Sequence, residues 1–126
     1  MRIFRYLALP ALLLVGCSEE STDAATPIGP LVAPSDLVVT RTGLKAVQLT
    51  WTDNNTSEES FAIERKQNNG EFVPRLFVTY NSISATDTLG LFVDTTYSYR
   101  VRALRYLDAP GPYSNTATIL LTPAFP

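Results

Sequence analysis

The chain has 126 residues, enough for one domain and too few for two ordinary ones. With 45% hydrophobic against 17% charged residues, six Tyr, six Phe and one Trp, it can close a core, which excludes a wholly disordered chain. Ten basic against twelve acidic residues give a formal charge of −2, a poor match for nucleic acid; the lack of His and the single Cys exclude a His-based triad and an internal disulfide.

The chain opens with "MRIFRYLALPALLLVGC". Arg2 and Arg5 precede an apolar stretch from Leu7 to Val15, long enough for the core of a secretion signal and too short to span a bilayer. Pro10 and the abrupt change to "SEESTDAATPIGP" argue against a buried helix. "LVGC", Leu14 to Cys17, resembles the lipobox of bacterial lipoproteins. The resemblance implies a diacylglyceryl group on Cys17 and cleavage after Gly16. It makes residues 1–16 a signal peptide, makes the bilayer a partner through acylated Cys17, and places the protein at the bacterial cell envelope. Ser18, rather than Asp, implies the outer membrane in a Gram-negative host. Residues 17–33 then read as lipidated Cys and flexible tether, because Ser18 to Ala33 is rich in Ser, Thr, Ala and Pro with no apolar period. A flexible stretch of that length spans roughly 20–24 Å on average.

From residue 34 to 122 the pattern is alternation with polar turns, and no helical period of useful length. "DLVVT" puts Leu37 and Val39 on one face. "AVQLTWT" puts Val47, Leu49 and Trp51 inward. "SFAIERK" puts Phe61 and Ile63 inward, with Ala62, Glu64 and Lys66 facing solvent. "EFVPRLFVTY" is a ragged strand that Pro74 assigns to an edge or a bulge. "SISATDT" is short and weak. "TTYSYRVRAL" alternates Tyr97, Tyr99, Val101 and Ala103 with Ser98, Arg100 and Arg102. "NTATILLT" places Ala117, Ile119 and Leu121 inward, and residues 123–126 form a tail. Seven such strands predict an all-β, seven-stranded antiparallel immunoglobulin-like sandwich held by core packing alone.

The stretches "APSDLVVT", "VQLTWTDN", "SFAIERK", "TDTLGLFVDTTYSYRVRAL" and "YSNTATILLT", in that order, resemble a fibronectin type III domain over residues 33–122. The most specific part is Leu91, followed by Tyr97, Tyr99 and Val101. The resemblance makes Trp51 the core tryptophan of the second strand, and Tyr97 the tyrosine-corner residue whose hydroxyl meets backbone upstream. Val93 and Asp94 depart from a Pro-Gly that often stands there.

Three features carry candidate function. "TDNNTSEES" (52–60) gathers carboxylates and amides; it matches no EF-hand loop and reads as a solvated turn before a cation site. Arg100 and Arg102 face outward; the resemblance makes the third and sixth strands neighbours, so an exposed cross-strand pair with Glu64 is expected, and a carbohydrate- or phosphate-binding stripe is the alternative. "RYLDAPGPYS" (105–114) carries Tyr106, Leu107 and Tyr113 near a loop tip, with Pro110-Gly111 placed for a type II turn. Packing across the top of the sandwich is the expected role of these three apolar residues; contact with a partner is the alternative. Phosphate loops, nucleophile elbows and paired metal ligands are missing from the sequence, so no enzyme, cofactor or metal is expected. The expected function is a membrane-anchored, non-catalytic module that recognises a protein or glycan. A structural spacer or small assembly subunit is the alternative, and an unrecognised hydrolase a distant third.

Overall fold

A computed structural model describes residues 28–126; the expected signal, Cys17 and the first part of the tether lie outside the described residues. Seven strands follow among the described residues. They are β1 (Ser35–Gly43), β2 (Ala46–Thr52), β3 (Ser60–Gln67), β4 (Val73–Thr79), β5 (Ser84–Asp87), β6 (Thr95–Leu104) and β7 (Ala117–Leu121). They form two antiparallel sheets, ordered β1-β2-β5 and β4-β3-β6-β7.

The period-two pattern decides which side chains meet between the sheets. Val47, Leu49, Phe61, Ile63, Tyr97, Tyr99, Val101 and Ala103 are wholly buried. Trp51 is nearly so, with its ring edge-on to Phe61 at 5.7 Å between centroids. Val39 and Ile119 lie on the edge strands β1 and β7 and are only half-buried against this core. β4 is also an edge strand; its exposed Pro74 sits beside a register shift opposite Ile63 and Glu64, where a missing donor disturbs no inner ladder.

β3 departs from simple alternation. Ala62 and Glu64, expected to face solvent, are each 4% exposed. β3 is an inner strand, and its outer face is covered by neighbours: Phe77 and Arg102 flank Ala62 in register, and Tyr113 bonds to Glu64.

The β5–β6 connection carries the corner. Leu91 is buried, and the backbone N–H of Phe92 donates to the Tyr97 hydroxyl at 2.9 Å. Asp94, standing where Pro-Gly is frequent, adopts the left-handed φ of 59° that glycine would take without strain. At the same end, Arg41 donates to Gly43, Leu44, Thr122 and Ala124 carbonyls and stacks on Phe125, fixing the C-terminal residues.

Candidate functional site

The last residues of the expected tether belong to the domain. Leu31 is 8% exposed. Asn55 accepts from the Val32 N–H at 2.8 Å and donates to the Val32 carbonyl at 2.9 Å, as a strand neighbour would. Asn54 donates to the Ala33 carbonyl at 3.0 Å. The amides of "TDNNTSEES" thus clasp the N-terminal segment. Its acids are also engaged: Glu58 accepts from the Asn81 N–H, Glu59 from the Tyr106 N–H, and Asp53 from the Asn55 N–H. Burial, then the charge of Glu58, pushes the Asp53 carboxyl up, while the Asn55 bond opposes them. Among the described residues no group of three or more potential metal ligands is found.

The β6–β7 loop stands beside this segment. Arg105 braces it, donating to Ser57 at 2.6 Å and to the Gly29 carbonyl at 3.0 Å while pairing with Asp108. Gly111 N–H returns to the Ala103 carbonyl at 2.9 Å, and Ser114 bonds Val101 in both directions. Gly111 is not in the left-handed region, so the expected type II turn is absent; glycine is needed here because a Cβ would lie 2.9 Å from that of Leu31. A shallow hollow of about 290 Å³ remains between Pro30, Leu31, Arg105, Pro110 and Pro112.

Tyr106 and Leu107 project from the tip, 76% and 87% exposed. Leu107 holds a φ of 67°, a costly conformation for a branched side chain, stabilised by the bonds on either side. They do not pack across the sandwich. Tyr113 does not join them; it lies on the outer face of the four-stranded sheet.

On that face Glu64 is the hub. Its Oε1 accepts from Arg100 at 2.7 and 2.9 Å; its Oε2 accepts from the Tyr113 hydroxyl at 2.6 Å, with Arg102 at 3.5 Å. Arg100 is stacked between the rings of Phe72 and Tyr113, at 4.0 and 3.7 Å. Burial works to raise the Glu64 carboxyl, but the bonds from Tyr113 and Arg100, with the two arginine charges, outweigh it and hold it low. Tyr113 is pushed up by burial and by Glu64. The pair expected to be exposed is therefore a partly buried network.

A second network lies inside. Arg65 and Asp87, 7% and 0% exposed, pair at 2.8 Å across the two sheets. The Tyr99 hydroxyl also donates to Asp87, and burial and this carboxylate push its phenol far up. The sequence reading missed it, although parity signals it: Arg65 shares a face with Phe61 and Ile63, and Asp87 with Ala85.

Two antiparallel sheets in this strand order define an immunoglobulin-like sandwich. Its structural neighbours are fibronectin type III domains. The chicken CNTN1 FN1–FN3 domains match with a TM-score of 0.64 and 22% identity, over 75% of this chain and 33% of theirs. An Fn3-like protein from Clostridium thermocellum matches with a TM-score of 0.59 and 22% identity, over 78% of this chain and 99% of its own. Titin domains A168–A170 match with a TM-score of 0.62 and 18% identity over 74% of this chain, which spans 32% of theirs. No family model and no curated protein matches the chain.

Proposed function

We propose that the protein is a lipid-anchored, non-catalytic binding module of the bacterial cell envelope, probing a protein or glycan with its β6–β7 loop. The observation that carries this reading is the tip: Tyr106 and Leu107 are the most exposed large apolar residues described, yet their loop is braced on both legs. Ordering the loop before contact lowers the entropy that binding must overcome. The fibronectin type III fold commonly serves as a binding or spacer module, which agrees. The anchor rests on "LVGC" at the end of an apolar stretch.

The spacer reading has one observation in its favour. The N-terminal segment is clasped at one end of β1, and the C-terminal residues are fixed by Arg41 at the other. Two measurements separate the claims. Cys17→Ala is expected to abolish incorporation of a palmitate analogue, and labelling that survives removes the anchor. Residues 28–126 are expected to capture an envelope component that the double variant Tyr106→Ser, Leu107→Ser does not. Equal capture by both places the contact elsewhere; no capture by either leaves the spacer.

A further inference from the structure

A second hollow, of about 490 Å³, lies at the opposite end of β3, between the β3–β4 hairpin and the β5–β6 loop. Arg65 and Arg75 line it, with Gln67, Glu71, Val73 and Phe92. The two guanidiniums are not equivalent. The Arg65 charge is matched by Asp87 at 2.8 Å. Arg75 forms no ion pair among the described residues. Of its five donors, the one bond described runs from Nη2 to the Leu89 carbonyl at 3.1 Å, and its Nε is buried with no partner.

The backbone keeps this place open. Gly90 adopts a φ of 61°, and a Cβ there would lie 3.3 Å from the Arg75 Nη2. A larger residue would press on the guanidinium. Around it, Val73 and Phe92 are 49% and 57% exposed, so the rim offers apolar surface. Glu71 is exposed and pairs with neither arginine.

A half-buried guanidinium with vacant donors and no counter-charge calls for an anion, and its planar fork suits an oxyanion. The local charge balance selects which. With Arg65 and Asp87 cancelling, the single positive charge of Arg75 stands beside the carboxylate of Glu71, so a dianion meets more repulsion than a monoanion. We propose that this hollow binds a carboxylate-bearing ligand, with the carboxylate on Arg75 and the apolar part against Val73 and Phe92. Sugar acids and peptide C-termini both supply that group. The site is separate from the loop tip and does not rest on its proposed role.

The described residues contain all seven strands and the buried core, so residues 28–126 serve as the test protein. Nitrogen-15-labelled protein is titrated with glucuronate, with N-acetylphenylalanine and with inorganic phosphate, reading the amides of Gly70, Gly90 and Phe92. Saturable shifts with at least one carboxylate are expected, and which one saturates identifies the source. Arg75→Gln is expected to weaken binding about tenfold or more, equivalent to roughly 1.4 kcal/mol, with the Trp51 signals unmoved as the check on folding. Arg75→Lys, which keeps the charge and loses the fork, falls between. Shifts that never saturate with either carboxylate overturn the site, as does equal affinity in Arg75→Gln. Phosphate binding as tight as either carboxylate overturns the ligand class.

Discussion

Replacing Glu64 with Gln removes one negative charge from beneath two guanidiniums while keeping nearly the same shape. The amide oxygen can still accept from Arg100 or from Tyr113, but the NH2 then faces the other donor, so the full set Glu64 accepts now is lost. The Glu64 side chain is 6% exposed and each arginine 28% exposed, so the arginines cannot recover full hydration once the carboxylate is gone. An exposed pair would contribute about 0–1 kcal/mol. Breaking a fully buried pair costs about 3–5 kcal/mol. With one partner buried and the others partly so, the expected loss is about 2–3 kcal/mol. For a domain of this size that lowers Tm by about 10–20 °C. The pH dependence has a definite sign. The folded state holds the Glu64 carboxyl low, so the charge contributes stability above the ordinary carboxylate range, and that contribution is lost as pH falls through the folded value. Parent and Glu64→Gln should therefore differ most near neutrality and converge in acid. Urea melts at a series of pH values measure this. A loss below about 0.5 kcal/mol at neutral pH would mean that the network is a surface pair after all. A loss that does not change with pH would mean that the cost is packing, not charge.

Trp51→Ala should cost about 3–5 kcal/mol in the same melts, because it opens a cavity beside Phe61; stability near that of the parent would contradict the packing of β2. Tyr97→Phe should cost about 0.5–1.5 kcal/mol, since it strips the acceptor from the Phe92 N–H and leaves the ring in place. Asn55→Ala removes both bonds to Val32, so hydrogen exchange at the Val32 amide should accelerate while the amides of β3 and β6 stay protected. Unchanged exchange at Val32 would show that Leu31, Asn54 and Arg105 hold the segment without Asn55.

The sheet core was legible in the sequence. A period of two assigns each strand residue to one face, and burying apolar faces leaves two sheets as the arrangement that satisfies them. Leu49, Ile63, Tyr97 and Val101 could be placed inside from that alternation alone. The corner, with Leu91 beneath it and Tyr97 above, followed from the resemblance of "LFVDTTYSYRV". Cys17 and its acyl group remain a reading of the motif alone. Other features required the tertiary structure. Alternation places Glu64 outside, yet Tyr113 arrives from a loop 49 residues away to cover it. Alternation would place Arg65 inside, a costly assignment until Asp87 appears opposite on the other sheet. Asn54 and Asn55 read as turn residues until the chain more than twenty positions earlier lies against them. Periodicity records which way a side chain points from its own strand, whereas burial, pairing and charge depend on what the rest of the chain brings to meet it.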